Sequence, residues 1–278
     1  MRRALISRRF QRGFVLITVL WMGLALLLGV SAFMSGARQE ALQTRVEVAT
    51  ARATELARTG LNVALADLGR VSGDRVQSPR DGSTVTLVMA EGRVTYRIQD
   101  EAGKVDINYA PPQVLGPVLQ SVGASEGVDA FDAVNVAQAL EAANLSGSRA
   151  RSVGDALRAA GFPAATARLA EDYLTTFNFT AQINPRTAPP ETLAAIPGLG
   201  PGGAEEIVSR RQAGQTMPRL GSAAAWLAER PGPVYTIEAE AELSTGGTAR
   251  LVAQVVARGI AFRGGLMRYE VLSVRAEM

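Results

Sequence analysis

The run FVLITVLWMGLALLLGVSAFM, residues 14–34, decides how the whole chain is read. No charged side chain occurs between Arg12 and Arg38, and these 21 residues, at about 1.5 Å each, make a helix about 30 Å long, the thickness of a bilayer core. It reads as a membrane anchor. A cleaved secretory signal would carry a basic start, an apolar run of about 7–15 residues and a small-residue cut site, for which Ser35-Gly36-Ala37 would serve, but the run here is too long. A buried core helix would not be expected to hold so long an uncharged stretch directly behind a cluster of arginines. Because Arg2, Arg3, Arg8, Arg9 and Arg12 face no nearby acid, the positive-inside rule keeps the N-terminus cytoplasmic and sends the remainder across the membrane.

The junction ahead of the run is more specific. Arg12-Gly13-Phe14, followed at once by an apolar helix, resembles the type IV prepilin signal. That resemblance implies a peptidase that cuts after Gly13 on the cytoplasmic side and methylates Phe14 as the new N-terminus. A residue without Cβ suits a cut site, since its backbone enters a protease cleft in conformations others cannot reach. The fifth residue after such a cut is normally Glu, and here it is Thr18. In a pilus that buried carboxylate is understood to pair with a neighbouring subunit's N-terminal ammonium. A subunit lacking it suits a position where no such pairing is required.

Length and composition set the outer bounds. The 278 residues are enough for one large or two modest folded units, and the apolar content is that of a packed protein. The net charge of +3 comes from the leader: without residues 1–13 the chain has 24 basic against 26 acidic side chains, about −2. Nucleic acid therefore has no overall electrostatic invitation. Absence of Cys excludes disulfides and thiolate metal sites, and absence of His removes the commonest general base and transition-metal ligand.

Beyond the anchor, apolar residues continue at helical spacing through Leu42, Val46, Ala49, Ala53, Leu56, Leu61, Ala64 and Leu68. Arg45, Glu47, Arg52, Glu55 and Arg58 fall on the other face, so the membrane helix extends outward as one amphipathic rod to about Leu68. Residues 69–83 carry turn formers and charge and read as a loop. Residues 84–89, 93–98 and 104–108 have strand patterns and suggest three short antiparallel strands. From 111 to 231 the period is helical, with helices expected at 112–122, 128–143, 153–160, 163–177, 189–195, 203–211 and 219–229; Ser152 and Asp155 form a capping-box pair ahead of the third. Strands return at 235–243, 249–257 and 268–275, the first two joined by a Gly-rich turn. Two separate three-stranded units would be marginal alone, so a single sheet interrupted by an inserted helical domain is expected. The expected parts are a leader (1–13), an anchor with its amphipathic extension (14–68), a discontinuous sheet domain (69–110 and 232–278) and a helical insertion (111–231).

Two features stand out in the helical block. The stretch around Ile107-Asn108 echoes that around Ile183-Asn184: in both, an extended segment ends at Asn and a Pro opens the next helix. Duplication and local convergence both account for it. The run IPGLGPGGAEEI, residues 196–207, resembles a helix-hairpin-helix, whose glycines allow a tight interhelical turn and turn backbone amides toward phosphate. A membrane-anchored helix-hairpin-helix DNA receptor of the competence type is thus an alternative reading. Against it, Glu205 and Glu206 follow the turn, where phosphate binding needs lysine and arginine, and Arg210 and Arg211 repair only part of that.

Taken together, the Arg12-Gly13-Phe14 junction with Thr18, the stretches DEAGKVDIN (100–108) and INPRTAPPETLAAIPG (183–198), and the closing RYEVLSVRAE (268–277) resemble the minor pseudopilin K of type II secretion systems, the GspK family. The resemblance spans nearly the full length. It implies an α+β pilin-like body, a long N-terminal transmembrane helix packed on an antiparallel sheet, with a large all-helical inserted domain. It implies a single-pass protein of the bacterial inner membrane with its globular part in the periplasm. Implied partners are minor pseudopilins I and J, other pseudopilins and the prepilin peptidase, at the tip of a short pseudopilus that promotes export of folded proteins across the outer membrane. No nucleic-acid partner is expected.

No enzyme chemistry is legible. Acid pairs such as Asp100-Glu101 and Glu171-Asp172 are adjacent in sequence and point apart, with no base or nucleophile to join them. No cofactor is expected, although Asp100, Glu101 and Asp106 form the best local set of oxygen ligands for Ca²⁺.

Overall fold

The computed structural model describes residues 6–69, 78–125, 130–162, 164–261 and 266–277. One helix, α1 (Ile6–Leu68), begins before the apolar run and passes without interruption through Gly13, Phe14 and the small residues at 35–37. Its second half lies on one face of a five-stranded antiparallel sheet. The strands are β1 (Asp81–Met89), β2 (Gly92–Asp100), β5 (Val234–Leu243), β6 (Thr248–Ala261) and β7 (Leu266–Glu277), in the spatial order β1-β2-β5-β6-β7. The fold is α+β, as the alternation of strand and helix periods predicts.

Period-two alternation sorts the two sheet faces. Val94, Tyr96 and Ile98 of β2, Ile237, Ala239 and Ala241 of β5, and Leu251, Ala253 and Val255 of β6 are buried beneath α1. From the helix, Ala53, Leu56, Ala57, Leu61, Ala64 and Leu68 meet them. The opposite face of the sheet is polar: Arg97, Thr236, Glu238, Arg250 and Gln254.

Between β2 and β5 the chain makes a long excursion and returns to its starting point, since Asp100 and Tyr235 are register partners across the β2–β5 ladder. The excursion contains α2 (Pro112–Ser125), α3 (Ala130–Leu145), α4 (Val153–Ala159), α5 (Ala164–Leu169), α6 (Pro190–Ala194) and α7 (Gly200–Gln212). It has its own apolar core, which includes Ile107, Leu115, Leu119, Leu157, Leu193 and Ile207.

Three expectations need correction. Residues 104–108 do not add a third strand to the first group: β3 (Val105–Asp106) pairs in parallel with β4 (Leu174–Thr175) inside the excursion. The helix expected over 163–177 stops at Leu169, followed by a 3-10 turn at Ala170–Asp172 and by β4, because Leu174 and Thr175 are drawn out to pair with Val105 and Asp106. The segment 219–229 holds only a 3-10 turn, Gly221–Trp226. Residues 70–77 of the expected loop, the first two residues of the helix expected from 128, and Pro163 lie outside the described residues. Ser152 does cap α4, its hydroxyl accepting from the Asp155 amide at 3.3 Å.

The echo has a structural counterpart. Val105 and Ile183 each sit in a short parallel pairing, with Leu174 and Leu227 respectively. Each pairing is followed by an Asn, Asn108 bonding the distant Ala150 backbone and Asn184 accepting from the nearby Arg186 amide, and by a helix with Pro as its first residue, Pro112 or Pro190.

Candidate functional site

Three places carry the chemistry that a non-catalytic reading needs: the free half of α1, the neck of the excursion, and the glycine-rich hairpin. The first is the simplest. Val15, Leu16, Ile17, Leu20, Trp21, Leu27 and Phe33 are all more than half exposed, and no sheet or helix of this chain covers them. A core helix would bury that stripe; this one is long and apolar enough to cross a membrane. Gly13 and Phe14 lie within the same helix. Thr18 returns its hydroxyl to the Val15 carbonyl at 2.9 Å, so this polar group within the apolar run is satisfied by its own helix.

The neck is built around Asp100. Its Oδ1 accepts from the Ala102 amide at 2.9 Å and from the Gly232 amide at 3.0 Å, and its Oδ2 lies 3.5 Å from Asn184 Nδ2. One carboxylate thus ties the outgoing segment to the returning one. Burial pushes its pKa up to about 6, against the three donors that pull it down. Glu101 pairs with Lys104 at 3.0 Å, both side chains almost fully buried, and accepts from the Thr236 hydroxyl at 2.7 Å. Lys104 also donates to the Glu171 carbonyl at 2.9 Å. Asp106 accepts from the amides of Asn108, Asn178 and Phe179 at 2.8–3.0 Å, and burial raises its pKa as well.

These contacts bear on calcium. Asp100, Glu101 and Asp106 are spent on three different internal networks, and among the described residues no group of three or more carboxylates converges as a metal site would require. The three residues do not fit a shared Ca²⁺ site. Asp100 and Glu101 tie the excursion to the returning segment and β5, and Asp106 ties together two segments within the excursion.

In the hairpin, α6 and α7 are joined by a turn in which Gly198 and Gly200 take φ of +82° and +66°, backbone that favours glycine. At Gly198 the turn closes against Ser222, whose Oγ would lie 2.3 Å from an added Cβ, while Gly200 and Gly202 face open space. Both arginines that would approach phosphate are committed. Arg210 pairs with Glu206 at 2.8 Å. Arg211, largely buried, donates to the Ala188 carbonyl at 2.6 Å and pairs with Asp81 of β1 at 3.4 Å.

A cleft of about 630 Å³ separates the polar sheet face from the helices, lined by residues that include Lys104, Arg151, Glu171, Glu238 and Arg275. Glu238 within it bonds Arg97 at 2.7 Å and Arg250 at 2.5 Å, and Glu101 bonds Lys104 at 3.0 Å. Paired charges of this kind stabilise a junction and supply no activated nucleophile.

No protein-family model matches the chain, and no curated protein matches it. Among solved structures, it is similar to a chain of the GspK-GspI-GspJ complex of the type 2 secretion system from enterotoxigenic Escherichia coli. That similarity has 13% identity and a TM-score of 0.45, over 87% of this chain and 99% of that one.

Several residues that shape these places are silent in the sequence. Gly232, Thr236 and Arg211 are far from Asp100, Glu101 and Asp81 along the chain, and only the return of the excursion brings them together. Asn184 was visible through the echo, but its partner was not.

Proposed function

We propose that this chain is a minor pseudopilin at the tip of a type II secretion pseudopilus, acting in its assembly and in export of folded proteins across the outer membrane. The observation that carries the reading is a single unbroken helix, apolar and uncovered in its first half and docked on an antiparallel sheet in its second. Such a rod anchors a head to the membrane and presents an apolar surface to other rods of the same kind. In this reading residues 1–13 are a leader, the prepilin peptidase cuts after Gly13 and methylates Phe14, and residues 14–68 form anchor and extension. Residues 69–110 and 232–278 form the sheet domain, with 111–231 inserted. The N-terminus is cytoplasmic, the anchor spans the inner membrane and the head is periplasmic. Minor pseudopilins I and J are the partners, and the chain has no enzyme activity.

Thr18 supports a position at the end of the fibre. An unpaired N-terminal ammonium in an apolar helix bundle is costly, and a neighbour's Glu normally offsets that cost. A subunit without the acid can sit at the tip, where no subunit above requires it, while its own amine is met from below. The inserted helices fit the same place, because they would obstruct repeated stacking along a shaft.

The expected result is a mature N-terminus at methylated Phe14 by mass spectrometry, about one copy per pseudopilus, and normal processing of Thr18→Glu. An N-terminus at Arg38, or labelling of this chain along the shaft of purified pseudopili, would overturn the reading. For the DNA-receptor alternative, the internal bonds of Arg210 and Arg211 predict that full-length chain in detergent shows no salt-sensitive duplex binding at micromolar concentration. Binding that weakens steeply with salt would restore that alternative.

A further inference from the structure

Phe179 is the only non-glycine among the described residues with left-handed backbone, at φ +60°. That conformation crowds Cβ against the following carbonyl, which is why glycine normally fills it. Here the residue is a phenylalanine, and its ring is 54% exposed. A ring kept only to brace the fold would be buried, and glycine would take the same backbone without strain.

The surroundings hold the ring out. Asp106 Oδ2 accepts from the amides of Asn178 at 3.0 Å and Phe179 at 2.8 Å, and Asn178 Nδ2 donates to the Gln182 carbonyl at 2.8 Å, closing the loop below the ring. Tyr109 meets Phe179 edge to face, with centroids 6.5 Å apart. Arg149 lies over the Tyr109 ring at 4.8 Å and donates to its hydroxyl at 2.9 Å. Asn108 fixes the arginine-bearing segment beside this pair by exchanging two hydrogen bonds with the backbone of Ala150. Arg149 and Arg151 are both exposed; Arg149 acts on the buried Asp106 carboxyl from a distance, and neither arginine makes a direct ion pair among the described residues. Backbone strain maintained around a solvent-facing aromatic, beside exposed cations without a direct ion pair, marks a functional surface.

We propose that Phe179, Tyr109, Arg149 and Arg151 form a docking site for a protein segment that presents an apolar side chain beside a carboxylate. The open ring of Phe179 takes the apolar side chain, and the arginines take the acid. A nucleic-acid strand is a poorer fit. Arg149 already occupies the Tyr109 face, leaving one open ring where strand binding uses successive stacking platforms. All of these residues lie in the excursion between β2 and β5, so the site stands independently of the tip assignment.

The test is made on full-length chain in the cells that produce it, with the photo-crosslinking residue p-benzoylphenylalanine in place of Phe179. The expected adduct is with one protein, mapped to a segment with Asp or Glu within a few residues of the crosslinked side chain. Its yield should fall about tenfold when Arg151→Glu, alone or with Arg149→Glu, is added. Phe179→Gly should raise the head's Tm while loosening the complex with that same partner. The proposal is overturned by an adduct no stronger than that obtained from the same residue at Leu145, which is 84% exposed. It is also overturned by an adduct to lipid or nucleic acid, by one insensitive to both arginine reversals, or by a lower Tm in Phe179→Gly, which would make the ring a brace.

Discussion

Asp100→Ala is expected to destabilise the head by about 3 kcal/mol, because it orphans the buried Ala102 amide, costing about 1–3 kcal/mol, and the part-buried Gly232 amide, costing less. The Tm should fall by about 10 °C for a unit of this size. The loss is concentrated at the neck, where the outgoing and returning strands separate, so the inserted helices should lose their attachment before the sheet melts. Proteolysis would then cut first near Gly232. Asp100→Asn keeps an acceptor for both amides and should cost much less. The carboxylate also gives stability a pH dependence of unusual sign. Its folded pKa of about 6 lies above the ordinary value of 3.8, so between those values the folded state holds a proton that the unfolded state releases. Stability from this group therefore rises as pH falls from 7 toward 4, by up to about 3 kcal/mol, and is lost as pH rises through 6. Asp106, shifted in the same direction by burial, adds to that slope. Chemical denaturation at pH 5 and pH 7.5 measures it. A slope unchanged in Asp100→Asn would show that Asp100 is not its source.

What the sequence reveals and what it hides divide along a physical line. The long exposed apolar helix was legible because its uncharged length is a local property of the sequence, and the sheet strands because period-two alternation is local too. The mistaken strand at 104–108 and the overlong helix at 163–177 share one cause: β3 and β4 exist only as each other's partners, about 70 residues apart. Local propensity cannot report such a pairing. The acids at the neck were visible as acids, yet their proximity along the chain suggested a common ligand, whereas the fold points Asp100 and Asp106 at separate sets of amides and Glu101 at Lys104 and the Thr236 hydroxyl. Phe179 is the extreme case, since nothing about a phenylalanine in sequence announces a positive φ.

The second large effect is expected at Gly60, which the apolar stripe from Leu42 to Leu68 passes over. Glycine inside a helix costs about 1 kcal/mol relative to alanine, so its presence needs a packing reason. That reason is close approach: a Cβ at Gly60 would lie 2.2 Å from Val94 Cγ1 and 3.6 Å from the Ala239 Cβ. Ala53, Ala57 and Ala64 continue the same seam with no exposed surface, against Val94, Ala239, Ala241 and Ala253 beneath. Small residues at this spacing let α1 lie almost directly on the strand backbones, which makes one rigid body of the rod and the head. Val94 is β-branched and fully buried, so it cannot swing away cheaply. Gly60→Ala should therefore destabilise the head in spite of its better helix propensity, and Gly60→Leu by about 3 kcal/mol or more as the helix is lifted from the sheet. Membrane insertion and processing at Gly13 should be unaffected, since neither involves the seam. Val94→Ala supplies the missing space, so Gly60→Ala combined with Val94→Ala should be more stable than the sum of the two single changes predicts, with a coupling of about 1 kcal/mol. Additive losses, or a Gly60→Leu variant with unchanged Tm, would mean that the helix does not sit on the sheet as closely as this seam requires.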